Sequence, residues 1–475
     1  MPAQQRRRTT TSTRSRRRPR PTQHKPVTPT SDLDRLLDEA LTRDAPIAGS
    51  FADLGVPDAL VRSLTRRGIT APFAIQNRAL PDGIAGRDVL GRAQTGAGKT
   101  LAFGLPILSR LTGRRSRPGR PRGLVLVPTR ELAMQVADEL RPLADAVELR
   151  VAAVFGGAPY GGQLAALARG IDVVVATPGR LIDLIDRGAC ALSDVSIAVL
   201  DEADHMADLG FLPAVRRLLD DTASGGQRLL FSATLDRGVD RLVREYLTAP
   251  AVHAVAPAAA PVEAMDHHVF LLNQGDKVTV AAEIAARPGR TLVFVRTKHG
   301  ADRLAKQLTN LGAPAAAIHG NLAQNARQRA LAGFAAGHPR VLVATDVAAR
   351  GIHVDDVDLV VHFDPPNDAR DYLHRSGRTA RAGASGTVVS FVLPEQRRVV
   401  QRLHTDARVT PAAVQVQPGH GAVRAIAESG TPVPPAPPAP TARSARRPTS
   451  GQRAAMANRN RARRARPARP RKPAA

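Results

Sequence analysis

The chain has 475 residues, 43% of them hydrophobic, with 68 Lys+Arg against 42 Asp+Glu and a formal net charge of +26. That length is enough for two or three domains with sizeable cores. The single cysteine, Cys190, excludes a disulfide framework and a cysteine-ligated metal cluster, and it suits a reducing, cytoplasmic setting. Residues 1–30 hold nine basic residues and no acid, and residues 1–26 contain no Leu, Ile, Val or Phe. Such a segment offers no apolar stretch for a secretory signal and no apolar face for an amphipathic targeting helix. Residues 1–48 therefore read as a disordered basic tail.

Strands are predicted over 88–91, 124–127, 151–155, 173–176, 197–200 and 228–231, as nearly continuous apolar runs of the kind that strands covered on both faces require. Helical patterns lie between them, for example 130–143 and 162–168. This βαβ alternation predicts a parallel sheet in an α/β domain over 49–250. Prolines among alanines over 251–264 break the pattern and predict a linker. The alternation resumes with strands over 291–295, 315–318, 341–344, 359–363 and 386–392, a second α/β domain over 265–405. Residues 406–475 read as a disordered Pro/Arg-rich tail, twelve basic residues and no acid falling within 443–475. The two tails leave only +5 on residues 31–442. Polycations of this kind attract nucleic acid through counterion release, with little sequence preference. No run approaches the roughly 18 apolar residues of a membrane helix, so no membrane partner is expected.

The first strand runs into Ala93-Gln94-Thr95-Gly96-Ala97-Gly98-Lys99-Thr100 and then a helical pattern. A Gly-rich turn between strand and helix turns backbone N–H groups and a helix dipole toward a phosphate chain. Lys99 would reach the outer phosphates and the Thr100 hydroxyl would ligate Mg²⁺. The strand over 197–200 ends in Asp201-Glu202-Ala203-Asp204, which puts carboxylates at the C-terminal sheet edge, where ligands bind in open α/β sheets. There Asp201 would hold Mg²⁺ through water and Glu202 would orient and deprotonate the attacking water.

On these motifs the chain resembles the DEAD-box ATP-dependent RNA helicase family, over roughly residues 51–400 and with the motifs in the family's order. The resemblance implies two tandem RecA-like, parallel-sheet P-loop NTPase domains, ATP and Mg²⁺ as cofactors, and RNA as the partner that stimulates hydrolysis. The family regularly has Ala at the first P-loop position, so Ala93 matches. Phe51, 17 residues before Gly68 of "GITAPFAIQ", resembles the start of the family's Q motif. By that resemblance Gln76 reads the adenine edge, to which an amide offers one donor and one acceptor, and Phe51 packs near the base. RNA contacts are implied for Pro128, Thr129 and Arg130, for Gly156 and Gly157, and for Thr177, Pro178, Gly179 and Arg180. Hydroxyls, backbone amides and arginines at one sheet edge can hold phosphates and sugars without reading bases.

Ser232 and Thr234 match the motif that couples hydrolysis to strand separation, in communication with Asp204 and His374. In the second domain, Arg296, Gln324, Arg327 and Thr345 are implied to hold RNA. Arg378 and Arg381 are implied to be arginine fingers that meet the γ-phosphate when the domains close. One position departs from the family: "ARGI" is followed by His353 where an Asp is expected on the ribose. Imidazole carries no negative charge near neutral pH, so weaker or retuned nucleotide affinity is expected, with Asp355 and Asp356 nearby but in another register. Aromatic residues make up only 3% of the chain, which favours backbone contacts over base stacking. Two other classes compete. An RNA-annealing protein with a vestigial nucleotide site is disfavoured by the joint presence of Lys99, Glu202, Arg378 and Arg381. A DNA translocase is disfavoured by the Q-motif-like segment and the Asp201–Asp204 run.

Overall fold

A computed structural model of the chain describes residues 32–42, 48–93, 96–235, 237–255, 265–349, 357–379 and 386–429. Gln94, Thr95, Arg381, His353, Asp355 and Asp356, and the expectations placed on 1–31, 256–264 and 430–475, lie outside the described residues. The chain divides into two compact units, the first taking the described residues up to 154 and from 161 to 255, the second taking 155–160 and the described residues from 265 on.

In the first unit seven strands form one sheet: β1 (Val89–Arg92), β2 (Gly123–Leu126), β3 (Val151–Val154), β4 (Val173–Ala176), β5 (Ile197–Asp201), β6 (Gln227–Ser232) and β7 (Ala251–Ala254). Their order is β3-β4-β2-β5-β6-β1-β7 and every pairing is parallel. β2, β4, β5 and β6 are buried along their whole length, as their Leu/Val/Ile runs require of strands covered on both faces. Helix Ala74–Ile84 lies close against helix Lys99–Leu111 because residue 83 is glycine: a Cβ there would stand 2.8 Å from Pro106 Cγ. This approach sets the first turn of one helix over the N-terminus of the other.

The second unit carries β8 (Asp266–Leu271), β9 (Arg290–Phe294), β10 (Ala315–Ile318), β11 (Val341–Ala344), β12 (Val357–His362), β13 (Thr387–Val392) and β14 (Ala412–Gln415), in the order β10-β11-β9-β12-β13-β8-β14, again all parallel. Counted from its own first strand, each unit has the order 3-4-2-5-6-1-7. The sequence shows no short-period repeat, yet the topology repeats strand for strand.

Three expectations are corrected. Residues 251–254 are not linker but edge strand β7, in register with β1 from Val89↔Ala251 to Arg92↔Ala254; the flanking prolines concealed a four-residue run. Helix Asp32–Thr42 lies within the supposed N-terminal tail and packs on β7. Leu33, Leu37 and Ala40 recur at helical spacing and are buried, giving the segment the apolar stripe that the residues before it lack. Beyond residue 405, β14 pairs with β8, and helix Gly421–Glu428 packs on helix Lys277–Ala285. Val416, Val423 and Ile426 enter the core there, three apolar anchors too widely spaced to outweigh the surrounding composition.

Candidate functional site

The strand order sets the C-terminal ends of β5, β6 and β1 side by side, and each end carries a polar motif. After β1, the amide of Ala93 donates to the Ser232 carbonyl (3.1 Å), which stitches the turn to the end of β6. Gly96 and Gly98 take φ of +89° and +85°, a region that suits glycine, and Lys99 opens helix Lys99–Leu111. Gln76 Nε2 donates to the Gly98 carbonyl (2.9 Å), and Gln76 Oε1 accepts from the Phe73 amide (2.9 Å). The amide expected on adenine thus ties the phosphate turn to the start of helix Ala74–Ile84. Phe51, expected beside the base, is fully buried in the core. The aromatic at the turn is Phe73, 58% exposed, with Cδ2 2.6 Å from where a Cβ on Gly98 would lie. Sequence reasoning missed it, although it stands inside the quoted "GITAPFAIQ" run.

Lys99 Nζ donates to Glu202 Oε1 (2.8 Å) and lies 3.8 Å from Asp201 Oδ1, all three groups being buried. Burial works to lower the Lys99 pKa, but the charges of Glu202 and Asp201 outweigh it and the value is raised. Burial pushes Asp201 up to about 7, with the Glu202 charge adding to the rise and Lys99 opposing it. Two carboxylates against one ammonium in a dry site leave a deficit of positive charge, and hard oxygen donors of this kind suit Mg²⁺. The donor set therefore fits the metal. Glu202 sits at φ +55°, left-handed for a residue with a Cβ, which costs on the order of 1 kcal/mol and marks a position held by its surroundings. Thr100, the other expected ligand, is half-buried in the first turn of helix Lys99–Leu111.

Asp204 joins the ends of β5 and β6. Its Oδ2 accepts from the Thr234 amide (3.0 Å) and hydroxyl (2.8 Å), its amide donates to Ser232 Oγ (3.2 Å), and Ser232 Oγ donates to the Thr234 carbonyl (2.7 Å).

The ends of β3, β4 and β2 form the other half of the same sheet edge. Gly156 and Gly157 follow β3, Gly157 at φ +77°. Thr177 and Pro178 begin helix Pro178–Asp186 after β4, with Gly179 exposed and Arg180 Nε 3.7 Å from Asp183 Oδ2. After β2, Pro128 is buried and Thr129 Oγ1 accepts from the Leu132 amide (3.3 Å), capping helix Arg130–Ala146, whose first residue, Arg130, is half-buried.

In the second unit, Arg296 is exposed after β9 and Thr345 half-buried after β11. Gln324 and Arg327 are buried instead, and Arg327 Nη1 donates to the His319 carbonyl (3.0 Å), bracing the loop after β10. Arg378 is 7% exposed and borders a recess with Asp346, Asp371, His374 and Arg375, as expected of a charge that is buried only with partners. Sequence reasoning passed over Arg375, whose Nε and Nη2 hold the two Asp346 oxygens at 2.5 and 2.7 Å. Among the described residues no helix is long and apolar enough to cross a membrane.

A DEAD/DEAH box helicase family model matches residues 73–242, and a helicase conserved C-terminal domain model matches residues 276–383. The chain is 45% identical over 367 residues to the chloroplastic DEAD-box ATP-dependent RNA helicase 3B of Zea mays, a match covering 75% of this chain and 49% of that protein. It is 40% identical over 365 residues to the mitochondrial DEAD-box ATP-dependent RNA helicase 9 of Arabidopsis thaliana (75% and 59%). It thus spans about half the length of the maize relative. Among solved structures it is similar to Saccharomyces cerevisiae Dbp5 bound to RNA and ADP BeF3, at 27% identity and a TM-score of 0.70 over 80% of this chain and 100% of that one. The tandem parallel sheets are RecA-like. With a P-loop lysine salt-bridged to the acidic end of β5 and both family models matched in chain order, the chain belongs to the DEAD-box helicase family.

Proposed function

We propose that the protein is an RNA-stimulated ATPase that uses hydrolysis to open short RNA duplexes or remodel RNA–protein complexes, gripping RNA through its backbone. The observation that carries this reading is the meeting of three adjacent strand ends, which brings Lys99, Asp201, Glu202 and the Asp204–Ser232–Thr234 bonds to one corner of one sheet. Backbone N–H groups of the glycine turn and the start of helix Lys99–Leu111 would receive the triphosphate of ATP. Lys99 is paired with Glu202, so a phosphate that draws the ammonium away frees Glu202 to take the proton of the attacking water. Asp201 and Thr100 would hold Mg²⁺, which when bound neutralises phosphate charge. Asp204 would pass the state of the acidic corner to Thr234.

The polymer would lie along the ends of β3, β4 and β2, at Pro128–Arg130, Gly156, Gly157 and Thr177–Arg180, with Arg296 and Thr345 as contacts on the second unit. Gln324 and Arg327, being buried, are assigned a bracing role. Arg378 and Arg381 are assigned as charge-neutralising cations in hydrolysis, and His374 as a coupling residue. The cytoplasm is the proposed location, supported by the lone, buried Cys190; fractionation of the native host tests it against the organelles for which the plant relatives are named.

The deciding experiment measures steady-state ATP turnover with and without single-stranded RNA, and with DNA of equal length. RNA should stimulate turnover at least about tenfold and DNA far less, while Lys99→Ala and Glu202→Gln should each lower kcat by about 100-fold or more. Equal turnover with and without RNA would remove the reading, and equal stimulation by DNA would point to a translocase.

A further inference from the structure

Because the two sheets share one strand order, each feature of the ATP corner has a counterpart in the second unit. The counterpart of β1 is β8, and the helix after it opens with Lys277 as the helix after β1 opens with Lys99. The counterpart of β5 is β12, and the loop after it carries Asp364 where β5 leads to Asp201 and Glu202. Lys277 Nζ lies 3.3 Å from Asp364 Oδ1, so a lysine–carboxylate pair stands at the same corner of both sheets.

The second corner is closed to phosphate. Its turn, Asn273-Gln274-Gly275-Asp276, holds one glycine, which does not adopt a left-handed φ, and the residue after the lysine is Val278 instead of a hydroxyl. The Lys277 ammonium sits 4.2 Å over the centre of the Phe363 ring and is 3% exposed. An ammonium sealed under a ring cannot receive a solvated phosphate chain. Burial lowers its pKa, which the Asp364 charge opposes.

The pair instead reaches the loops beside it. Asp364 Oδ2 accepts from the backbone amide of Arg296 (2.9 Å), and the Asp364 carbonyl accepts from Arg375 Nη1 (2.8 Å). Arg375 in turn grips Asp346, next to Thr345. The Asp364 carboxylate, oriented by one buried lysine, therefore ties the end of β12 to that of β9, while its backbone carbonyl connects through Arg375 to Asp346 after β11, and the Arg296 side chain projects from this junction into solvent.

We propose that Lys277 is a positioning residue for RNA: by fixing Asp364 it holds the Arg296 loop in the geometry that meets a phosphate, so that the loop is not ordered at the expense of binding. Ordering a contact in advance raises affinity by removing that entropy cost from the association step. The inference rests on the RNA-stimulated ATPase reading above.

The test uses the full chain. ATP turnover is titrated with single-stranded RNA, binding of a fluorescently labelled oligonucleotide is followed by anisotropy with a non-hydrolysable ATP analogue, and thermal melting is recorded alongside. Lys277→Met should raise the RNA concentration for half-maximal stimulation, and the Kd, by about tenfold, with kcat at saturating RNA within about twofold of wild type. Lys277→Arg should restore both RNA constants. If Lys277→Met does not fold, Asp364→Asn, which keeps an acceptor for the Arg296 amide but loses the charge facing Lys277, should raise the same constants by about threefold. Unchanged RNA constants in a folded variant, or a lower kcat and melting temperature that Lys277→Arg does not rescue, would overturn the proposal while wild-type stimulation leaves the ATPase reading standing. A wild-type enzyme indifferent to RNA fails the reading itself, and the proposal with it.

Discussion

Buried beside Glu202, Asp201 keeps its proton to about pH 7, whereas in an unfolded chain an aspartate ionises near pH 4. Between those values the folded state binds more protons, so this group makes stability fall as pH rises from about 4 to about 7, and the deficit persists above that. Asp201→Asn should therefore raise the melting temperature more at about pH 7.5 than at about pH 5, while cutting ATP turnover by about 100-fold or more. Melting curves at both pH values check it; an equal gain at both would mean that the carboxylate's charge is not the cause. At Gly98 the backbone is left-handed and an added Cβ would fall 2.5 Å from Gln76 Nε2, so Gly98→Ala should raise KM for ATP by about tenfold. At this scale Lys99, Asp201 and Glu202 were legible in the sequence because the chemistry dictates both residue type and spacing, and Asp204 and Thr234 through the family resemblance alone. The positions of Gln76, Phe51 and Phe73 were not. Which partner an amide takes, and which ring stays exposed, depends on how closely helix Ala74–Ile84 lies on its neighbour, and that is decided by the absence of a side chain at Gly83.

Among the elements, β8 and β14 escaped a reading based on apolar runs, and the reason for β8 is chemical. His267 interrupts its run, yet Nδ1 of that residue lies 2.6 Å from the Tyr372 hydroxyl. The Tyr372 ring in turn meets His362 and His404 edge-on, each with centroids 5.0 Å apart. Burial, with Arg375 and neighbouring histidines adding to it, holds the His362 pKa well below its ordinary value, and burial, then His267, brings His404 down to about 4. Both imidazoles are neutral in the folded unit at pH 7, while an unfolded histidine protonates near 6.5. Their contribution is therefore complete above about pH 6.5 and is lost as pH falls toward about 4. Calorimetry of the full chain should show a transition that moves to lower temperature between about pH 7 and about pH 5, and His404→Phe should flatten that dependence. A dependence as steep in the variant as in wild type would exclude His404 as its source.

For the whole molecule, most of the excess charge lies in residues 1–30 and 443–475. Removing 1–31 and 430–475 should weaken RNA binding at low salt and flatten the slope of log Kd against log salt, while turnover at saturating RNA keeps its dependence on Lys99. His353→Asp should tighten ATP binding, as read by nucleotide titration; an unchanged or looser Kd would remove that account of the position. The parallel α/β class and the two-fold division were legible because doubly covered strands leave unmistakable apolar runs. The edge strands β7 and β14 were not, although the opposite edges β3 and β10 were, since an edge strand needs only one neighbour and little apolar content. The same fact limits how the protein can be trimmed. Helix Gly421–Glu428 covers Val280 and Ile284 in the second unit, much as helix Ala74–Ile84 covers the helix after β1 in the first, so a cover that precedes one sheet in sequence follows the other. A recombinant fragment stopped at residue 405, where the apolar rhythm fades, would lack both β14 and helix Gly421–Glu428 and lay those side chains bare, yielding a sticky, protease-sensitive product; one carried through residue 429 should remain monodisperse.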